Sequence, residues 1–285
     1  MRSTISLLSA LAKSGAASRI ASALAALLVV AGFAFPAFAQ ENAGDLAKKL
    51  SNPVAAMISV PFQGNYNDGI GPLKDGEQTY VNVQPVVPFA LNDDWNLISR
   101  TIVPVVWQDD IFPGAGSQFG LGNTTQSFFL SPSQPVDGFV WGAGPVFYLP
   151  TNTDDLLGAD KWGAGPTAVA LWQGEGWTIG MLANHIWSFA GDSSEPDINS
   201  TILQPFIAYT TKDAWTFTLN TESTYDWESD EWSVPINFVV SKIVKVGNLP
   251  VSIFAGPRYW ADTPAGIGPD DWGARFGVTL LFPRK

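Results

Sequence analysis

The stretch from Trp215 to Trp227 constrains the fold more than any other part of the sequence, because its side chains alternate in chemistry along its whole length. One alternate set is apolar with aromatic ends, and the other, from Thr216 to Asp226, is wholly polar. Successive side chains of a strand point to opposite faces. Half-buried strands of soluble proteins usually have about five or six residues. A strand tilted across a bilayer needs about 9–11 and has interfacial aromatic residues, so we predict a lipid-facing strand of an outer-membrane barrel.

Similar segments recur along the rest of the chain and give about twelve strand candidates, an even number as in single-chain bacterial barrels. Before them, residues 43–50 carry apolar side chains at helical spacing, and Asn52-Pro53 ends that pattern. The predicted fold is all-β: a single transmembrane antiparallel barrel over residues 54–285, after a short helical segment over residues 40–53. The predicted strands are Val54–Tyr66, Gln78–Phe89, Trp95–Trp107, Leu121–Leu130, Phe139–Leu149, Trp162–Trp172, Trp177–Phe189, Asn199–Thr211, Ala214–Trp227, Trp232–Ile243, Pro250–Trp260 and Trp272–Phe282.

The connections between these segments alternate between long and short, as they do when short periplasmic turns face longer outer loops. The long set also holds most of the acidic residues and only two lysines, Lys74 and Lys161. The opposite ends carry lysines such as Lys48, Lys212 and Lys245. Because charge follows the same alternation as loop length, we predict that both chain ends lie in the periplasm and that the acidic loops face outward.

Residues 1–39 have the organisation of a secretory signal peptide. A basic start from Arg2 to Arg19 precedes an uncharged run from Ile20 to Phe35, and Ala37-Phe38-Ala39 forms a cleavage site. We predict cleavage after Ala39 and localisation in the bacterial outer membrane. The alternative is a membrane anchor, but the apolar run is shorter than the ~18 residues of a spanning helix.

Composition excludes several classes of protein. The mature chain has twelve basic against 26 acidic residues, a net charge of −14, so it lacks the basic surface of a nucleic-acid-binding protein. The absence of cysteine excludes a disulfide framework, a thiol nucleophile and thiolate metal sites. The twelve tryptophans are typical of an all-β chain with interfacial aromatic residues.

Extending the alternation to the other strands predicts a polar lumen of mixed charge. A charge that faces lipid would cost about 2–4 kcal/mol near the midplane, so charged strand residues are placed inward. Two roles stay open: these side chains line a path for solute and set its selectivity, or arginines and carboxylates pair across the lumen and hold it shut. The predicted lumen-lining residues are Asn82, Gln84, Arg100, Gln204, Asn220, Glu222, Asp226, Asn237, Arg258 and Arg275.

Two further sets follow from the barrel interpretation. The interfacial aromatic girdles are predicted to contain Trp95, Trp107, Trp177, Trp215, Tyr225, Trp227, Trp232, Tyr259 and Trp272. The last strand matches the pattern that barrel-assembly machinery recognises, with Arg275, Gly277, Leu280 and Phe282 as its polar, glycine, apolar and aromatic positions. The expected partners are therefore this machinery, outer-membrane lipid and lipopolysaccharide, the last bridged to the acidic loops through cations.

Prolines lie inside many predicted strands, although proline cannot donate to the ladder and normally occupies edges or bulges. We therefore predict bulges or bends at several of them. The in-strand prolines are Pro61, Pro85, Pro88, Pro104, Pro145, Pro166, Pro205, Pro235 and Pro257.

Catalytic and metal-binding patterns are weak. Asn184, His185 and Ser188 are the residue types of a serine hydrolase, but neighbouring strand residues face opposite ways and no other nucleophile motif is present. None of the acidic loops has the spacing of an EF-hand. We therefore predict a protein that is not an enzyme and has neither metal nor cofactor.

Six segments carry a family resemblance: Asp45–Pro53, Leu91–Arg100, Lys161–Pro166, Leu182–Trp187, Thr216–Trp227 and Trp232–Asn237. They resemble the bacterial outer-membrane barrel family associated with meta-pathway phenol degradation, whose members are often labelled transporters. The resemblance implies an outer-membrane channel for passive passage of small molecules, including aromatic or hydrophobic compounds. It carries over no site residue. The alternative is a non-conducting structural or surface-interaction barrel that binds through its acidic extracellular loops.

Overall fold

The computed structural model describes residues 43–282, so the predicted signal peptide lies outside the described residues. These residues form one short helix and an antiparallel β-sheet. Helix α1 spans Ala43–Leu50. The strand segments are β1 (Ile58–Ile70), β2 (Gly76–Val83), β3 (Val86–Ala90), β4 (Trp95–Asp109), β5 (Ser117–Leu121), β6 (Thr124–Pro132), β7 (Phe139–Leu149), β8 (Lys161–Gly174), β9 (Trp177–Gly191), β10 (Asn199–Thr210), β11 (Trp215–Thr221), β12 (Ser223–Asp226), β13 (Glu231–Val246), β14 (Leu249–Asp262) and β15 (Trp272–Phe282).

These 15 segments form twelve strands, because three strands are each interrupted once. β2 and β3 run along the same neighbours, β1 and β4. β5 and β6 both pair with β4, and β11 and β12 both pair with β10 and β13. β15 pairs with β1 and β9 pairs with β10, so the sheet closes on itself. The prediction of one antiparallel barrel of about twelve strands is confirmed.

Each interruption lies at or opposite a proline, whose missing N–H weakens the ladder. Pro85 lies between β2 and β3. The β5–β6 interruption lies beside Pro104, whose carbonyl accepts a hydrogen bond from the backbone N–H of Gly122, the first residue of the interruption. The β11–β12 interruption faces the part of β10 that contains Pro205, and Pro235 lies at a register shift. The expected irregularities are therefore present at four prolines, whereas the other five lie within continuous strand segments.

The first strand begins later than predicted. β1 starts at Ile58 instead of Val54, because residues 53–57 turn inside the barrel. Val54 is 4% exposed and packs in a cluster with Ile98 and Phe129 from the inner wall. The apolar character of Val54 therefore reflects contact with the lumen and not membership of a strand.

Helix α1 packs inside the barrel end that has the short turns. Leu46 and Ala47 are buried against Ile243 and Leu281, whose side chains face the lumen. The side chain of Gln173 also donates a hydrogen bond of 2.8 Å to the carbonyl of Lys48. Across residues 43–282, no helix has both the length and the hydropathy that a membrane span requires.

The connections fall into two sets at opposite ends. The short-turn end has residues 91–94, 133–138, 175–176, 211–214 and 247–248. The long-loop end has residues 71–75, 110–116, 150–160, 192–198, 227–230 and 263–271. Two lysines of the long-loop end are neutralised locally, Lys74 by Asp270 and Lys161 by Asp197. Proximity to Lys161 and Ser188 holds the pKa of Asp197 below its usual range. The rim therefore stays strongly acidic.

Candidate functional site

The barrel lumen is the candidate site, because the strand alternation directs a continuous row of polar side chains into it. In the ladder, Asn220 lies opposite Asn237, and Asn237 lies opposite Arg258. Asn237 is fully buried, whereas its neighbours Ile236 and Phe238 are exposed on the outer face. The wall is therefore polar inside and apolar outside at this level.

Arg258 links three strands of the wall. Its Nη1 donates hydrogen bonds of 2.8 Å to Asn65 Oδ1 and 2.9 Å to Tyr80 Oη. Its guanidinium also lies 4.4 Å from the ring centroid of Trp260, within cation–π range. Asn65 is on β1 and Tyr80 is on β2, so the side chain reaches along the inner wall from β14.

Arg275 forms the ion pair of the lumen. Its Nη1 and Nη2 bond both carboxylate oxygens of Glu222, at 2.9 and 2.6 Å. Its Nε donates a 2.9 Å bond to Asn65 Oδ1. This two-point geometry is the strong form of an arginine–carboxylate contact. It ties β15 to the interruption between β11 and β12.

The third arginine, Arg100, lies on the opposite side of the lumen from Glu222. It donates a 3.2 Å bond to the neutral Oε1 of Gln84. Glu222 attracts both Arg100 and Arg258 electrostatically, yet neither forms an ion pair with a carboxylate among the described residues. Since arginine stays protonated, this part of the lumen carries net positive charge.

Three predicted lumen residues take less central positions. Gln204 lines an interior cavity together with Asn220. Asn82 is half-buried on β2, between Gln63 and Pro104 of the adjacent strands. Asp226 lies at the long-loop end, where its carboxylate accepts a 2.9 Å bond from the backbone N–H of a turn residue, Glu228.

A cavity of about 210 Å³ lies between α1 and the inner wall of β10, β11, β13 and β14. Asn220 lies at one end of the wall segment that lines it, and Ile243 lies towards the short-turn end. The lining residues are Ala47, Leu50, Ser51, Pro53, Gln204, Phe206, Ala208, Thr216, Thr218, Asn220, Ser241, Ile243 and Ser252.

Sequence reasoning missed an apolar section of the lumen. Ile98 and Phe129 pair directly across β4 and β6 and are fully buried. With Leu171, Leu182 and Val54 they form a cluster that begins beside Arg100, which lies two residues from Ile98 on the same face of β4. The prediction of a polar lumen is therefore incomplete. The same alternation, followed along β4 and β9, was the signal that could have found these residues.

The predicted girdle residues lie near the strand ends, and most form ring contacts there. Tyr225 lies 4.8 Å from Trp227 and 4.9 Å from Trp232, measured between ring centroids. Tyr259 and Trp272 are 5.0 Å apart. The remaining contacts pair Trp95 with Trp141, Trp107 with Phe119, Trp177 with Tyr209, and Trp215 with Lys242.

The serine and histidine considered for catalysis do not meet. His185 Nδ1 is 2.7 Å from Thr201 Oγ1, and its ring centroid is 4.0 Å from that of Trp187, with the two ring planes tilted by 51°. Ser188 instead donates to Asp197 at 3.1 Å. Over residues 43–282, no cluster of three or more histidine, cysteine or acidic residues could hold a metal ion.

Comparison with protein families supports the resemblance read from the sequence. Residues 73–201 match the family model described as "Putative MetA-pathway of phenol degradation". A search of curated proteins gave no match. The expected resemblance to an outer-membrane barrel family associated with phenol degradation is confirmed.

Solved structures share the fold. The COG4313 outer membrane channel from Pseudomonas putida F1 is 16% identical, with a TM-score of 0.61, over 79% of this chain and 94% of that chain. Outer membrane phospholipase A from Escherichia coli is 11% identical, with a TM-score of 0.50, over 84% of this chain and 98% of that chain. At these identities the matches establish the barrel fold alone.

Proposed function

We propose that this barrel is a channel for the passive passage of small molecules across the bacterial outer membrane. The observation that carries the proposal is the lumen, where three arginines, one carboxylate and several amides face inward next to a cavity. Charged side chains in a pore set its potential and its selectivity. We assign that role to Arg100, Arg258, Arg275 and Glu222. The fold shared with an outer membrane channel supports the same class.

A non-conducting barrel that binds through its acidic loops is the second candidate, and a specific observation favours it. Asn237, Arg258 and Arg275 are 0%, 3% and 3% exposed, and α1 occupies the short-turn end. Side chains that are so well covered by their neighbours leave little open space, so the path for solute through the lumen is narrow at their level. The two candidates therefore differ in whether the lumen conducts.

We also propose a non-enzymatic role, although one structure of the same fold is a phospholipase. The support is that His185 and Ser188 bond to different partners and do not form a nucleophile–base pair.

The membrane setting is part of the proposal. We propose export by a signal peptide cleaved after Ala39, and insertion by assembly machinery that reads β15 through Arg275, Gly277, Leu280 and Phe282. The acidic long-loop end would contact lipopolysaccharide through bridging cations. The outward aromatic rings near both strand ends support a membrane position.

Planar-bilayer recording of the refolded mature chain tests the channel. We expect discrete conductance steps, together with solute uptake into liposomes. Absence of both would refute the channel and favour the non-conducting barrel.

A second recording tests the assigned arginines. Replacing both Arg100 and Arg258 with alanine should reduce anion over cation selectivity, because the two arginines without a carboxylate partner are removed. An unchanged selectivity would remove these side chains from the mechanism.

A further inference from the structure

The polar row of the lumen continues from the cavity wall. Asn220 lines the cavity, Asn237 lies beside it on β13, and Arg258 lies beside Asn237 on β14. Adjacent strands are about 4.8 Å apart, so Arg258 is roughly 10 Å from Asn220 along the wall. A solute in the cavity therefore meets Asn220 first, with an arginine two strands away.

This row has unused hydrogen-bonding capacity. Within residues 43–282, both polar atoms of the Asn237 side chain, Oδ1 of Asn220 and Nε of Arg258 are buried without a partner. Buried polar groups in native proteins are nearly always bonded, and two of these four atoms, Asn237 Nδ2 and Arg258 Nε, are donors that suit a ligand with acceptor oxygens. Arg275 is already occupied by Glu222 and Asn65. Arg258 is bonded only to neutral groups, and its charge attracts an anion.

The rest of the cavity favours an apolar group. Leu50 of α1 faces Phe206 and Ile243 of the wall, and Phe206 lies directly opposite Asn220 in the ladder. The volume of about 210 Å³ equals the volume that roughly seven water molecules occupy in liquid water. The occupant is therefore small, with a polar end at Asn220 and an apolar body towards α1.

We infer that this cavity binds a small monocarboxylate with an apolar body. The carboxylate accepts hydrogen bonds from the Nδ2 groups of Asn220 and Asn237, with the Arg258 side chain behind them. The apolar body packs between Leu50 and Phe206. The inference rests on the proposed channel function and names its solute class, an amphipathic anion instead of a neutral hydrophobic compound.

Calorimetric titration of the refolded mature chain in detergent tests this site with three probes. Benzoate has both features, benzyl alcohol lacks the charge, and acetate lacks the ring. We expect benzoate to bind at least about tenfold more tightly than either. Asn220→Leu and Asn237→Leu should each weaken benzoate binding by about tenfold, since each removes a bond to a charged group. The same variants should weaken benzyl alcohol binding by less, because a hydrogen bond to an uncharged hydroxyl is weaker than one to a carboxylate.

Asn184→Leu is the matched control, because Asn184 also has a buried amide oxygen without a partner but lies on β9, away from the row. It should bind benzoate like the unaltered chain. Equal affinities for the three probes, or equal losses in the control, would overturn the inference. If Asn237→Leu fails to fold, Asn220→Leu decides alone, because its side chain is less buried.

Conductance measured in parallel separates this inference from the proposed function. Conductance without benzoate binding would overturn the carboxylate site and leave the channel standing. Benzoate binding that depends on Asn220, without any conductance, would support the site and refute the channel.

Discussion

The ion pair between Arg275 and Glu222 gives the sharpest energetic prediction. The side chains of Arg275 and Glu222 are 3% and 28% exposed, and both carboxylate oxygens are bonded. Removing one partner of a buried pair leaves an uncompensated charge and costs about 3–5 kcal/mol. Arg275 would keep its bond to Asn65, so we expect Glu222→Gln to lower the free energy of unfolding by about 3 kcal/mol, the lower end of that range.

A double-mutant cycle separates the interaction free energy of the pair from the cost of losing either side chain alone. Replacing both partners by apolar residues of similar volume is often neutral or stabilising. We therefore expect Glu222→Leu with Arg275→Met to be far more stable than the sum of the single variants predicts. Tryptophan fluorescence during urea unfolding in lipid vesicles measures each free energy.

The control is Glu228→Gln, an exposed carboxylate at the same end of the barrel, which should change stability by less than about 0.5 kcal/mol. The reasoning is refuted if Glu222→Gln behaves like this control. It is also refuted if the two single effects add within about 0.5 kcal/mol, as they do for independent sites.

Three other predictions follow from the packing and the loops. Leu219→Lys, on the lipid face between the two interfacial ends of its strand, should destabilise the barrel by about 2–4 kcal/mol in vesicles, whereas Thr218→Lys on the inner face should cost less; equal costs would contradict the assigned faces. Leu46→Ala removes a buried side chain of α1, a loss of about 2–5 kcal/mol, and should release the helix and raise single-channel conductance; unchanged conductance would mean that α1 does not restrict the path. Because the pKa of Asp197 is lowered by Lys161, its stabilising effect is present above the ordinary carboxyl pKa and is lost as pH falls through the lowered value. The protection of its loop amides against hydrogen exchange, relative to the intrinsic rate at each pH, should therefore fall at acidic pH in the unaltered chain, and Lys161→Met should show the lower protection already at neutral pH.

Much of the fold was predictable because its signals are local. Alternation and turn residues placed the strands Phe139–Leu149 and Trp272–Phe282 with the observed bounds. Val54 was misplaced for a physical reason: an apolar residue that packs inside the lumen looks the same as one in a strand. The positions of the three strand interruptions could not be predicted from the sequence. A proline can interrupt the neighbouring strand that lies opposite it, and which residues lie opposite is known only from the register.

The lumen was predictable only in part. Alternation indicates which side chains point inward, but their partners depend on register around the whole barrel. Arg258 bonds to Asn65 across two strand spacings, and Arg275 reaches Glu222 across three. Asn65 and Tyr80 also accept hydrogen bonds from these arginines, but they are uncharged, and of their two strands only Asn82 and Gln84 were predicted to line the lumen. Trp260 was missed because tryptophan in such chains usually lies at an interface.

The sequence left two roles open for the lumen arginines, selectivity for a passing solute and bracing of the wall. The bonding partners of the three arginines distinguish these roles. Arg275 is held by a carboxylate and an amide, so it braces the wall and its loss should appear mainly in stability. Arg100 is held only by Gln84, and Arg258 only by neutral groups, so their charges remain available to a passing anion. Arg275 therefore contributes mainly to bracing, and Arg100 contributes mainly to selectivity. We expect the loss of Arg275 to change stability more than selectivity, and the loss of Arg100 to change selectivity more than stability.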